Sequence, residues 1–132
     1  MKPLFYFLVL IITLGGSCKK NENQAIKLSG TYAGTFQRKV SGTGAISDVS
    51  LSFSADAWNG ESQTVKYPAL NHGTFSTTGN KINFKNESVW TAEFDWSLIL
   101  SGDYDITVSG NKITISKSYA TGMIDVYTLS KQ

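Results

Sequence analysis

The chain has 132 residues, of which 41% are hydrophobic and 17% charged, a composition typical of one small globular domain. Twelve basic and ten acidic residues leave a formal net charge of +2, which is too small to indicate binding to nucleic acid. One cysteine, Cys18, excludes a disulfide within the chain, and one histidine leaves too few ligands for a cysteine–histidine zinc site.

The first residues combine a basic start with a short apolar segment. Lys2 is followed by residues 4–14, which are apolar apart from Thr13, and then by the small residues Gly15, Gly16 and Ser17. The apolar segment is too short to cross a membrane as a helix, which needs about 20 residues. This order predicts a secretory signal peptide. A buried core helix is the alternative, but no helical pattern continues after the cysteine.

The sequence LGGSC at residues 14–18 resembles the lipobox of bacterial lipoproteins. The resemblance implies that residues 1–17 are removed and that Cys18 carries the lipid, whose acyl chains contribute about 0.8 kcal/mol of membrane affinity per buried CH₂ group. It also implies a lipid-anchored protein of the bacterial cell envelope. Lys19 and Lys20 replace the acidic residues that some surface-exposed lipoproteins carry here, which favours an outer-membrane anchor facing the periplasm.

A polar segment follows the cysteine. Residues 19–27, KKNENQAIK, carry no strand or turn pattern and are interpreted as a flexible tether of at most about 30 Å. We therefore predict a lipidated cysteine and tether over 18–27 and a folded domain over 28–132.

The rest of the chain alternates between apolar and polar residues with a period of two. VSLSFS at 49–54 and YDITV at 104–108 are examples, and no segment keeps a helical period. Such alternation indicates strands with one buried face. The predicted strands cover residues 30–39, 47–56, 61–67, 72–77, 81–86, 90–100, 104–109, 112–118 and 123–130.

Two hairpins can be predicted in register. Gly79-Asn80 and Gly110-Asn111 are two-residue loops with glycine at the first central position, as in a type II′ turn. They place apolar residues opposite each other, as cross-strand pairing requires: Phe75 with Phe84, Thr77 with Ile82, Val108 with Ile113, and Ile106 with Ile115. A three-residue loop at 101–103 would likewise pair Leu100 with Tyr104, Leu98 with Ile106, and Trp96 with Val108.

Consecutive hairpins form an antiparallel up-and-down meander, and closure into a barrel removes its two free edges. The predicted fold class is therefore all-β, with eight or nine strands closing into a barrel; a β-sandwich is the alternative. Gly30-Thr31-Tyr32 resembles the Gly-x-Trp opening of lipocalins and avidin-like barrels, with tyrosine in place of tryptophan, and this resemblance implies that the barrel is lipocalin-like. The predicted core consists of Tyr32, Val49, Leu51, Phe53, Phe75, Ile82, Phe84, Phe94, Trp96, Leu98, Leu100, Ile106, Val108, Ile113 and Ile115.

Several aromatic residues lie near predicted strand ends. A strand from 90 to 100 would be about 33 Å long, more than a small barrel can bury, so Trp90 is expected at a rim or in the preceding loop. Trp58, Tyr67 and Trp90, together with His72 in a turn, are predicted to contact a ligand or line the rim. Aromatic residues at a barrel mouth can stack on a sugar or cover an apolar ligand. Alternatively, they plug the end of the barrel.

These patterns favour a lipid-anchored, non-catalytic binding module for a small apolar or sugar-like ligand. The alternative is a protein-interaction partner or inhibitor in the envelope with a filled barrel. An enzyme is not expected, because no G-x-S-x-G motif occurs and His72 lies beside a glycine in a turn. No cofactor or metal is predicted. The expected partners are the membrane, through the lipid on Cys18, and a small ligand or envelope protein, but no nucleic acid.

Replacement of Cys18 with serine is expected to abolish lipid attachment, because a serine cannot accept the thioether-linked lipid. In bacterial cells fed labelled fatty acid, the wild-type chain should carry the label and fractionate with membranes, whereas Cys18→Ser should do neither. Ser17→Ala is the matched control and should remain labelled. Label on Cys18→Ser would contradict the prediction.

Overall fold

The computed structural model describes residues 26–132; the predicted signal peptide, Cys18 and most of the tether lie outside this range. Within this range, eight strands follow one another in sequence. They are β1 (Gly30–Lys39), β2 (Ile46–Ser54), β3 (Ala57–Ser62), β4 (His72–Thr78), β5 (Lys81–Asn86), β6 (Gly102–Ser109), β7 (Lys112–Ser118) and β8 (Ile124–Lys131). A short 3₁₀ helix, Trp96–Leu98, lies between β5 and β6.

Each strand pairs antiparallel with the next, and β8 pairs with β1, so the sheet is a closed up-and-down barrel. The predicted all-β barrel is thus confirmed, with eight strands. Closure leaves every strand with two neighbours and removes the free edges that a meander would expose. The β3–β4 ladder is the shortest, since it pairs only Ala57, Trp58 and Asn59 with their partners on β4.

The two ends of the barrel differ in their connections. Residues 55–56, 79–80 and 110–111 form two-residue turns at one end, which we call the hairpin end. The longer connections 40–45, 63–71, 87–101 and 119–123 lie at the opposite end, the loop end. The described chain starts at the hairpin end, where the Thr77 hydroxyl donates a hydrogen bond to the Ile26 carbonyl over 2.7 Å.

The two predicted hairpins are confirmed in register. Phe75 pairs with Phe84 on β4 and β5, and Ile106 pairs with Ile115 on β6 and β7. Gly79 has a φ of 58° and Gly110 a φ of 61°, while the asparagine that follows each keeps a negative φ. Type II′ turns require a positive φ at the first central position only.

Two predicted strands are wrong. Residues 63–71 are a loop, since β3 occupies 57–62, and residues 87–101 are a loop with one helical turn. β5 pairs directly with β6, for example Ile82 with Tyr104, so no position remains between them for a strand at 90–100. Ala92 also has a φ of 75°, which interrupts an extended backbone. The predicted pairs of Leu100, Leu98 and Trp96 with β6 are therefore wrong.

Aromatic rings fill the barrel interior. Successive ring centroids lie 4.8–6.5 Å apart along a continuous chain of contacts formed by Tyr32, Phe53, Phe84, Tyr104, Tyr127, Phe36 and Tyr67. The aliphatic side chains of Leu51, Ile82, Ile106, Ile113 and Ile115 are buried around them. The interior is thus a packed core of tilted and edge-on aromatic contacts.

The burial pattern corrects part of the predicted core. Trp96 is 57% exposed, and Phe94 is half-buried outside the core cluster, because both belong to the 87–101 loop. Val108 is 48% exposed because β5 pairs with β6 only as far as Asp105, which leaves the end of β6 without a neighbour on that side. Phe75 and Leu98 are half-buried against the core.

Trp58 is 1% exposed and lies inside the barrel rather than at its rim. Its ring meets the edge of Phe84 at 5.7 Å, and its indole N–H donates to the Lys85 carbonyl over 3.3 Å. Gly73, opposite Trp58 in the ladder, is required by close packing: a Cβ at this position would clash with the Lys85 carbonyl and lie 2.9 Å from the indole nitrogen.

Trp58→Ala is therefore expected to lower the free energy of unfolding by about 3–5 kcal/mol, because it leaves a cavity in the packed core. Urea unfolding followed by circular dichroism measures this loss. Trp96→Ala, the same change at an exposed position, should alter stability by less than about 1 kcal/mol. Equal losses for both variants would contradict this assignment of core and surface.

Candidate ligand-binding surface

Two loops form one cap across the loop end of the barrel. Residues 63–71 and 87–101 meet in a parallel bridge, where the Ala69 N–H donates to the Leu98 carbonyl over 3.0 Å and the Leu100 N–H donates to the Ala69 carbonyl over 3.3 Å. Ala69 and Leu100 are both buried. The hydrophobic core therefore continues into the cap.

Tyr67 closes the cap from the inside of the barrel. Its ring packs against Phe36 at 5.2 Å. Its hydroxyl donates to the Ala45 carbonyl over 2.9 Å and accepts from the backbone N–H of Arg38 over 3.3 Å. The predicted rim residue Tyr67 thus plugs the end of the barrel.

A buried ion pair fastens the cap to the barrel. Arg38 on β1 is 7% exposed and faces Asp125 on β8, which is 2% exposed, at paired positions of the ladder. The Arg38 Nε and one terminal nitrogen donate to the two carboxylate oxygens of Asp125 over 2.6 and 2.7 Å. This bidentate geometry is the strongest that arginine forms with a carboxylate.

The remaining donors of Arg38 reach the 87–101 loop. One terminal nitrogen donates to the Asp95 carboxylate over 2.8 Å and to the Ser97 hydroxyl over 2.9 Å, and the other donates to the Ser97 carbonyl over 3.2 Å. Asp95 also caps the 3₁₀ helix by accepting the Ser97 N–H over 3.0 Å. One guanidinium therefore links β1, β8 and the loop.

The pKa values of these groups follow from their contacts. The hydrogen bonds to Asp125 raise the pKa of Arg38 above its ordinary value, and those from Ser97 hold the pKa of Asp95 below its ordinary value. Burial, followed by hydrogen bonding to Asp125 over 2.9 Å, raises the pKa of the Tyr119 hydroxyl to about 12. The arginine and Asp95 are thus charged, and Tyr119 neutral, at neutral pH.

Three aromatic side chains on the 87–101 loop lie outside the barrel and form what we call the aromatic row: Trp90, Phe94 and Trp96. The Phe94 ring centroid lies 5.9 Å from that of Trp90, at 62°, and 5.9 Å from that of Trp96, nearly parallel at 26°. The Lys66 ammonium lies 4.9 Å from the Phe94 centroid and donates to the Thr91 carbonyl over 3.3 Å. The other cap loop thus supports the row.

Asn86, the last residue of β5, orients the first ring of the row. Its side-chain oxygen accepts the Trp90 indole N–H over 3.2 Å, and its side-chain nitrogen donates to the Ser88 carbonyl over 2.8 Å. The position of Trp90 is therefore set by the end of a strand rather than by the loop alone.

A groove lies on each side of the aromatic row. The first groove, about 560 Å³, runs between β3, the 63–71 loop and Trp90, and its lining includes Asn59, Glu61, Lys66, Pro68, Leu70 and Trp90. The second groove, about 400 Å³, lies on the Trp96 side and is lined by Asn86, Trp96, Ser97, Ile99, Ser101, Lys117 and Tyr119. Both volumes are in the range of small-ligand sites.

A third groove, about 510 Å³, lies on the outer face of β4 to β7. Four of its polar groups are already paired: Lys81 forms an ion pair with Asp105, and the Asn83 amide donates to Asp103 over 2.7 Å. It lacks exposed tryptophan, so it is a weaker candidate for a ligand than the two grooves beside the aromatic row.

The four residues predicted at the rim lie in different parts of the structure. Trp90 lines a groove, Tyr67 closes the cap, and Trp58 is buried in the core, which corrects its assignment to the rim. His72 is exposed at the start of β4, with its Nδ1 3.1 Å from both the Asn71 side-chain oxygen and the Ser88 hydroxyl. The sequence predicts no catalytic role for His72.

Sequence reasoning missed the polar residues of the grooves and the Arg38 cluster. Asn59, Glu61 and Lys66 carried no motif, and they meet Trp90 only because β3 and the cap loop fold beside it. Trp96 was assigned to the core because the 94–100 segment alternates like a strand. Arg38 could have been found as a charged residue at an otherwise apolar, inward-facing position of β1.

Comparisons of the chain with protein-family models, with curated proteins and with solved structures gave no match. Over residues 26–132, no helix is long and apolar enough to cross a membrane. In the same range, no three histidine, cysteine, aspartate or glutamate side chains come together as a set of metal ligands.

Arg38→Leu is expected to lower the free energy of unfolding by about 3–5 kcal/mol, because it leaves the Asp125 carboxylate buried without a counterion. The double variant Arg38→Leu/Asp125→Leu should recover part of this loss. Lys39→Leu, at the neighbouring position, is the control and should change stability by less than about 1 kcal/mol. Urea unfolding compares all three variants. A double variant no more stable than Arg38→Leu would contradict a buried pair.

Tyr119 should make stability fall at alkaline pH. A pKa raised from 10 to about 12 stabilises the fold fully below pH 10, and this contribution is lost as the pH rises toward 12. The difference in unfolding free energy between the wild type and Tyr119→Phe should therefore shrink over that interval. Urea titrations of both proteins at several pH values measure it. A constant difference would contradict the raised pKa of the Tyr119 hydroxyl.

Proposed function

We propose that this protein is a lipid-anchored, non-catalytic binding module of the bacterial cell envelope. It holds a small apolar or sugar-like ligand outside the barrel, on the aromatic row and its grooves. The observation that carries the proposal is the row itself, in which Trp96 is 57% exposed and Trp90 borders a groove of about 560 Å³. Tryptophan is costly to expose and is enriched where proteins bind partners and ligands.

Because the interior is packed, we place the proposed ligand site on the surface. Rings occupy the barrel from Tyr32 to Tyr67, and the two cap loops are hydrogen-bonded across the loop end. A ligand inside the barrel would have to displace this core, whereas the grooves are open without any rearrangement.

The position of the tether supports this arrangement. The described chain begins at the hairpin end, where Ile26 contacts Thr77, and the aromatic row lies at the loop end. The ten residues of β1 correspond to about 30 Å of extended chain between the two ends. With a lipid on Cys18, the grooves would face away from the membrane. A ligand in the periplasm could then reach them.

The proposal includes kinship with lipocalins. The closed eight-stranded barrel supports it, as does Gly30, whose φ of 86° suits a glycine at the start of the first strand. Tyr32 packs edge-on against Phe53 at 5.7 Å, in the place that tryptophan takes in the Gly-x-Trp pattern.

A protein-interaction partner or inhibitor in the envelope is the second candidate. Val65 and Val89 are 82% and 90% exposed on the two cap loops, beside the aromatic row. An exposed apolar surface of this kind is also typical of protein–protein contacts. The filled barrel agrees with this alternative as well.

Binding can be tested with a mixed panel of fatty acids, fluorescent apolar probes and soluble oligosaccharides, scored by ligand-observed NMR. At least one class should bind the wild type, and Trp90→Ala should weaken that binding about tenfold while the fold is retained. Val108→Ala, which also shortens an exposed apolar side chain but at the hairpin end, is the control and should bind like the wild type. Equal binding by Trp90→Ala, or no binding by any class, would overturn the proposal.

A further inference from the structure

We infer that the ligand is an uncharged oligosaccharide that lies across both grooves, with the aromatic row beneath it. This inference rests on the proposed binding function and specifies its ligand. It depends on three properties of the surface: the arrangement of the rings, the unpaired polar groups next to them, and the cancellation of charge in both grooves.

The rings offer two separate stacking positions. Phe94 lies in the middle and is in contact with both tryptophans, whose centroids are therefore at most about 12 Å apart. Phe94 stacks on one face of Trp96, which leaves the other face to the second groove, and Trp90 borders the first. The negative face of an aromatic ring attracts positively polarised C–H groups, which a sugar ring presents on its face.

Polar groups without partners lie next to the rings. Asn59 and Glu61 extend outward from β3 into the first groove, and neither side chain makes a hydrogen bond to any other group in the range 26–132. An apolar ligand would remove them from water without replacing the lost hydrogen bonds. A sugar has an apolar face for Trp90 and hydroxyl groups at its edge for the amide and the carboxylate.

The charges of the two grooves favour an uncharged ligand. In the first groove, Lys66 offsets Glu61. In the second, Lys117 is the one charged lining residue, and its ammonium lies over the Tyr104 and Tyr119 rings at 5.2 and 5.4 Å.

Lys117 does not leave a site for an anion. It pairs in register with Asp125, next to a cluster in which the two carboxylates of Asp125 and Asp95 share the single guanidinium of Arg38. Lys117, Arg38, Asp95 and Asp125 together carry no net formal charge, two positive and two negative, so this side of the row does not favour an anionic ligand.

Two stacking positions predict that affinity depends on chain length. A single sugar reaches one tryptophan, whereas a longer chain contacts both, so each added contact contributes to the same complex. The probes are β-1,4-linked oligomers of glucose and of N-acetylglucosamine, from monosaccharide to tetrasaccharide, titrated calorimetrically against the soluble domain without its signal peptide and with Cys18→Ser. In at least one series, the tetrasaccharide should bind at least about tenfold more tightly than the monosaccharide.

Variants on each side of the row test the two-groove arrangement. Trp90→Ala and Trp96→Ala should each weaken tetrasaccharide binding about fivefold or more, the loss expected when a tryptophan contact with the ligand is removed. Val108→Ala is the control and should bind unchanged. The affinity should also be the same in low and high salt, since no ionic contact is involved.

The outcomes separate this inference from the proposed function. If an apolar probe binds and depends on Trp90 while no oligosaccharide does, the binding module stands and the oligosaccharide is excluded. If affinity is independent of chain length or of Trp96, the two-groove arrangement is wrong, and a steep dependence on salt would overturn the uncharged ligand. If no probe of either class binds, both proposals fail.

Discussion

The rest of the structure depends on the buried pair of Arg38 and Asp125. These residues face each other where β1 meets β8, so the pair lies at the seam that closes the barrel. Its spare donors hold Asp95 and Ser97, and through them the 87–101 loop. A guanidinium buried at this depth requires nearly all of its donors to be occupied, because an unpaired buried charge is strongly destabilising. The requirement to satisfy one arginine therefore fixes the geometry of both the seam and the cap.

The cap determines where a ligand can be held. Barrels of this size enclose either a packed core or one small ligand. Here the two cap loops join at Ala69, and the ring of Tyr67 completes the interior against Phe36. The same loop that closes the barrel carries Trp90, Phe94 and Trp96 on its outer side. One segment thus both closes the barrel and exposes the aromatic row, so the candidate site lies outside the barrel, at the end opposite Ile26, where the described chain begins.

The misassigned segment 90–100 shows why alternation alone is insufficient. Phe94, Trp96, Leu98 and Leu100 have the spacing of an inward strand face, but a strand needs hydrogen-bonding neighbours. β6 already occupies the position beside β5, so the segment folds over the barrel end, where only Leu98 and Leu100 reach the core. The prediction that Trp58 lies at the rim is wrong because no sequence pattern marked the start of β3. It follows a turn formed by Ala55 and Asp56 that lacks a glycine–asparagine signal, so β3 begins earlier than its pattern indicates.

The sequence by itself determined the all-β class, the closed barrel and the register of the hairpins at Gly79 and Gly110. These features follow from local rules: a period of two, and a turn whose first residue needs a positive φ. Only the tertiary structure decided which tryptophan is buried and which is exposed, and that Asn59, Glu61 and Trp90 share a groove. Those relations join residues about 30 positions apart in the chain, and they depend on strand pairing and on the burial of Arg38, which no local pattern encodes.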